Sequence, residues 1–167
     1  MTHQSRRTKQ NTVTVVLRDA PIEVLTRANE HQAELIREFT LLAMGAVTEQ
    51  SGSQVPPGLD ALIHELEARD PDAETVARQQ QDAAVARGAS SVTLTMQVPP
   101  SAAKAALRLR DALKRADEFC RSGELLTLAP RHDIIALREW YLEEFDRQIA
   151  GESPLSWPEY LTKHSTG

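Results

Sequence analysis

The spacing of apolar positions changes repeatedly along the chain, and each change marks an element. "TVTVVLR" over residues 12–18 is β-branched and reads as a strand. Asp19-Ala20-Pro21 stops it, and Pro21 suits the first turn of a helix, where a missing N–H costs nothing. Leu25, Ala28, Leu35, Ile36, Phe39, Leu42 and Ala43 then recur at threes and fours, which predicts a helix to about Ala46. "VTEQSGSQVPPG" (47–58) is a loop by its breakers, and 59–68 is a short helix with Leu62, Ile63 and Leu66 inward. Asp70-Pro71-Asp72 opens a weakly apolar surface helix that stops at Gly88. Residues 90–98 are a second strand. Pro99-Pro100-Ser101 opens a helix to Arg121 with Ala102, Ala105, Leu109, Ala112, Leu113, Ala116 and Cys120 in one stripe. "LLTLA" (125–129) reads as a third strand, and a long helix follows Pro130 and ends near Gly151.

This order, β-α-α-α-β-α-β-α, predicts an α/β fold: a helix-rich single layer structure with a small three-stranded sheet. Residues 1–11 are expected to form a disordered arm, 12–151 one domain and 152–167 a C-terminal tail. Strand, proline, helix occurs at Pro21, Pro100 and Pro130. The first two units share Val13/Val92, Thr14/Thr93 and Pro21/Pro100 at a spacing of 79, which raises duplication without establishing it. So small a sheet has exposed edges that a helix, the tail or a second chain must cover, a motive for a homodimer.

Composition narrows the function. Only seven of 167 residues are aromatic, so Leu, Ile, Val and Ala must fill the core. Arg6, Arg7 and Lys9 leave eight net negative charges on the rest of the chain, which argues against a nucleic-acid partner. A lone cysteine, Cys120, excludes an internal disulfide framework, and no apolar run approaches the roughly 18 residues of a membrane span. A cytoplasmic protein with no membrane partner is expected.

Candidate chemistry is sparse. No two of His3, His31, His64, His132 and His164 stand at helical ligand spacing, so no metal site is expected. His31 beside Glu30 and Glu34, and His64 beside Glu65 and Glu67, read as half-exposed charged faces before they read as acid–base groups. Cys120 reads as a buried small side chain. Neither a nucleophile elbow nor a Gly-rich phosphate loop is present. Glu139, Glu143, Glu144 and Asp146, interleaved with Arg138 and Arg147, suggest a solvated salt-bridged face with Glu143 and Arg147 paired at i, i+4. Five of the seven aromatics, Trp140, Tyr141, Phe145, Trp157 and Tyr160, fall in the last 28 residues. Folding back of "SPLSWPEYL" onto the final helix explains them. The functional alternative is an interaction surface made of those five residues.

"ADEFCRSGELLTLAPRHDIIALREWYLEEFDRQIAGESPLSWP" (116–158), with "ELIREFTLLA" (34–43), resembles a group of small actinobacterial regulatory proteins associated with partner-switching, anti-sigma systems. Some of these are loosely labelled ATP-binding. The resemblance implies a regulatory, protein-binding role. The nucleotide label is not supported by the residues. The histidine-kinase-like ATPase pattern wants an asparagine where Leu42 follows Glu38, and Asp-x-Gly-x-Gly is absent. No catalytic, cofactor-binding or metal residue is therefore assigned, and no cofactor is expected.

Three functions remain in order. The first is a non-enzymatic regulatory protein that binds a protein partner or itself. The second is a small-ligand sensor with an apolar pocket between sheet and helices. The third is an enzyme with dispersed residues such as His31, Glu34 and Glu38.

Overall fold

The computed structural model describes residues 11–48, 64 and 71–165. Strand β1 (Val13–Pro21) leads into helix α1 (Ile22–Thr48). Helix α2 (Pro71–Ala86), strand β2 (Ser91–Val98), helix α3 (Ala102–Arg121), helix α4 (His132–Ile149) and helix α5 (Trp157–His164) follow. The predicted arm and the short helix at 59–68 lie outside the described residues, apart from Asn11 and an exposed, helical His64.

The two stretches that look alike in sequence are each other's partners. β1 and β2 pair antiparallel, with Val13 opposite Val98 and Leu17 opposite Leu94. Val15, Leu17, Val92, Leu94, Met96 and Val98 alternate onto one buried face. Arg18 and Asp19 together face Thr93, a β-bulge that restores the phase and brings Ala20 inward. Asp19 takes φ 55° there, a conformation short acidic side chains tolerate, and its N–H donates to the Thr93 hydroxyl at 3.3 Å. Strand β1 thus continues past Asp19. Pro21 is its last residue, paired with Ser91, and not a first-turn helical residue.

Both sheet edges are closed by a glutamine at the same rung. Val16 lies opposite Thr95. On one side Gln148 of α4 accepts from Val16 N–H and donates to Val16 C=O, each at 2.8 Å. On the other, Gln80 of α2 does the same to Thr95, again at 2.8 Å. A primary amide carries the same donor and acceptor as a peptide group, so each glutamine acts as a one-residue strand. Helices therefore cover this rung at both edges, and a second chain is not needed to do so.

The expected third strand is not present. Residues 125–129 keep a strand's alternation, with Leu125 and Thr127 buried and Leu126 and Leu128 exposed, but join no ladder. The fold is α/β with a two-stranded antiparallel sheet among the described residues. The helix-rich character stands, whereas the three-strand order does not.

Below the sheet, Ile134, Leu137 and Trp140 of α4 pack with Trp157 and Tyr160. A second cluster joins Leu35 and Phe39 of α1 to Leu113 and Ala116 of α3. Tyr141 and Phe145, stacked at 5.7 Å, touch both clusters.

Candidate functional site

Between the buried sheet face and the four longer helices lies a cavity of about 440 Å³. Its floor is Leu94, Met96 and Val98 of β2, and α1 contributes Leu25, Ala28 and Gln32. Ala73 and Ala77 come from α2, Ala105 and Leu109 from α3, and Leu137, Arg138, Tyr141 and Phe145 from α4. Alanines of α2 and α3 supply part of the lining, beside longer side chains such as Arg78 and Arg108. The size falls within the range of small-molecule sites, and the lining is mainly apolar with a few polar groups.

Two of those polar groups lack partners. Gln32 is 8% exposed, and its Nε2 makes no hydrogen bond among the described residues. The Nε of Arg138 is likewise buried and unpaired. Unsatisfied buried donors of this kind are uncommon in folded proteins.

The rest of Arg138 is occupied. Its Nη1 donates to Asp117 Oδ1 at 3.0 Å, and its Nη2 lies 2.7 Å from His31 Nδ1. A guanidinium only donates, so His31 Nδ1 accepts, and His31 Nε2 carries the proton it gives to Leu128 C=O at 2.7 Å. Burial pushes the Asp117 carboxyl up, against the pull of Arg138.

One helical turn pair further along α1, Glu38 holds the same segment. Its carboxylate accepts from Leu126 N–H, and from Thr127 N–H at 2.7 Å, as well as from the Thr127 hydroxyl. The chain bends at 125–127, and there side chains of α1 take the backbone groups that a neighbouring strand would take in a ladder. Burial tends to raise the Glu38 carboxyl, but the three hydrogen bonds outweigh it and hold the group below the ordinary carboxylate range. A depressed folded pKa contributes stability that is complete above the ordinary value and is lost as pH falls through the folded one. In an NMR titration the Leu126 and Thr127 amide signals should shift with a midpoint below the usual carboxylate value. A midpoint at or above it would contradict this assignment. Glu38→Gln should abolish the transition.

The residues singled out in sequence separate into three groups. Trp140, Trp157 and Tyr160 are buried: Trp140 and Trp157 meet edge to face at 5.5 Å, and Trp157 stacks on Tyr160 at 5.8 Å. Residues of the tail thus share the core with α4. Tyr141 and Phe145 are half-buried and line the cavity. His31 and Glu38 meet at the 125–129 segment, bonded to its main chain, while Glu34 is exposed elsewhere on α1. Glu144 is not on a solvated face. Its side chain is 1% exposed and pairs with Arg147, so the expected Glu143–Arg147 pair is replaced. Cys120 is buried and unpaired, and burial, with Asp117 and Glu38 adding to it, pushes its thiol to about 11.

Gln32 and Asp117 were absent from the sequence reading, which raised an apolar pocket between sheet and helices without its lining. The signal available was a polar residue on an apolar stripe: Gln32 falls between Ala28 and Leu35, and Asp117 between Leu113 and Cys120. Among the described residues no cluster of three His, Cys, Asp or Glu could hold a metal ion. No described helix is long and apolar enough to cross a membrane. Compared with protein-family models, with curated proteins and with solved structures, the chain matches none.

Proposed function

We propose that this chain is a non-enzymatic regulatory module that binds a small, largely apolar molecule in the cavity between β2 and the helices. The observation that carries the reading is a space of about 440 Å³ at the middle of the fold, lined by apolar side chains and by a buried Gln32 without a partner. A molecule that binds there would stabilise the folded chain by mass action. Catalysis is the weaker reading, because His31 and Glu38 both spend their polar atoms on the main chain of residues 126–128.

The neutral fluorophore N-phenyl-1-naphthylamine tests the site. It should bind saturably to the wild-type chain with enhanced emission. Ala105→Phe or Ala77→Phe, each placing a ring in the cavity from a different helix, should weaken binding at least tenfold with the fold intact by circular dichroism. Absence of saturable binding, or undiminished binding to both folded variants, would contradict the reading.

A second reading, contact with a protein partner or a second copy, is favoured by Leu126 and Leu128, which are 93% and 81% exposed. The regulatory, partner-switching role would then use this segment as its contact, in a cytoplasmic setting. Sedimentation velocity should show concentration-dependent association in the wild type that Leu126→Ser with Leu128→Ser removes. A wild type that remains monomeric at high concentration would eliminate self-association.

A further inference from the structure

The cavity lining reverses the charge balance of the chain. The whole sequence carries 24 acidic and 19 basic residues, yet the charged residues of the lining are Arg78, Arg108 and Arg138 against Glu74 alone. Arg138 is already engaged: its side chain is 10% exposed, and its Nη1 lies 3.0 Å from Asp117 Oδ1 and 3.3 Å from Oδ2. The other three stand where the cavity meets solvent. Arg78 of α2 and Arg108 of α3 are exposed and Glu74 is half-buried, while Leu94, Met96 and Val98 of the floor are buried. The cavity thus joins an apolar interior to a charged opening whose two arginines outweigh its one glutamate.

That division selects an occupant. An apolar chain gains by leaving water for the interior. A charged head cannot follow it there without losing hydration, but at the opening it keeps water and meets a cation. A guanidinium is a planar fork of donors that matches the two oxygens of a carboxylate, and it stays charged at any working pH. Glu74 repels a second negative charge, so a head of single charge suits this opening better than a doubly charged phosphate. From this lining, we infer that the cavity takes a long-chain carboxylate, its chain over Leu94, Met96 and Val98 and its head at Arg78 and Arg108.

This occupant rests on the cavity reading above, and the test separates the two. Decanoate, 1-decanol and decyltrimethylammonium share one chain length and differ in charge. Their dissociation constants are measured, below micelle formation, by displacement of N-phenyl-1-naphthylamine from the full-length wild type and from the double variant Arg78→Gln with Arg108→Gln. Both side chains are exposed, so the variant should keep its fold, which a thermal melt checks. An exposed arginine–carboxylate pair of about 1 kcal/mol corresponds to roughly a fivefold change. The double variant should therefore weaken decanoate about fivefold and leave 1-decanol within about twofold. On the wild type, decanoate should bind more tightly than decyltrimethylammonium. Added sodium chloride should weaken decanoate and not 1-decanol.

Undiminished decanoate binding to the double variant, or an equal loss for decanoate and 1-decanol, would overturn the part assigned to the arginines while leaving the cavity reading standing. So would wild-type binding of decyltrimethylammonium as tight as that of decanoate. These wild-type comparisons of charge and salt decide the matter even if the double variant fails to fold. If decanoate fails to displace a fluorophore that does bind, the carboxylate class falls by itself. If the fluorophore and all three probes fail to bind, the cavity reading falls and this inference with it.

Discussion

Glu144→Ala should destabilise the chain by about 3 kcal/mol or more, the scale expected when one partner of a buried, hydrogen-bonded ion pair is removed. The carboxylate joins three parts of the molecule. It pairs with Arg147, accepts from Gln148 Nε2 at 2.7 Å, and accepts from Leu155 N–H at 3.0 Å. Gln148 in turn closes the outer edge of β1 at Val16. Removing the carboxylate leaves the Leu155 amide without an acceptor and frees the glutamine that caps the sheet. Urea unfolding gives the value. Glu144→Gln keeps an acceptor for Leu155 and should lose less than Glu144→Ala. A loss under 1 kcal/mol for Glu144→Ala would show that the tail and the sheet edge are held by something else.

Trp140→Ala has a comparable effect for a different reason. Trp140 is fully buried, meets Trp157 edge to face, and donates from Nε1 to Leu155 C=O at 2.8 Å. Deleting so large a core side chain costs about 3–5 kcal/mol from lost burial and the cavity left behind. Trp140→Phe separates the contributions: it keeps a ring but strands the Leu155 carbonyl, at about 1–3 kcal/mol. Leu155 is thus fixed at its N–H by Glu144 and at its C=O by Trp140, both from α4. Immediately after it, Ser156 and Glu159 form a reciprocal capping box that starts α5. Equal stability of Trp140→Phe and wild type would contradict the part assigned to the indole N–H.

These two side chains show where the sequence was legible. Trp140 and Trp157 read as a tail folding back, because so few aromatics clustered so tightly leave little else for them to cover. Helices α3 and α4 read correctly from period 3.6, as did the stops at Gly88 and Gly151, both with positive φ. The strand at 125–129 did not, because its side-chain alternation is the same whether the backbone meets a strand or the carboxylate of Glu38. Local pattern records which side is buried and not what takes the hydrogen bonds. Glu144 was read as a surface residue, and Gln148 drew no reading, since both types are usually exposed. Yet they continue the stripe of Leu137 and Trp140 at helical spacing, as Gln32 continues that of Ala28. The cavity lining had no linear signal: it comes from β2 and four helices far apart in the chain.

The central claim, that the cavity accepts a small molecule, is tested most directly by methionine-methyl NMR on the wild-type chain. Of the three methionines, Met96 lines the cavity, whereas Met44 is 63% exposed on α1 and is not part of the lining. Addition of N-phenyl-1-naphthylamine should shift the Met96 methyl signal saturably and leave the Met44 signal in place. A Met96 signal that does not move at saturating probe, or that moves only in step with Met44, would contradict the account.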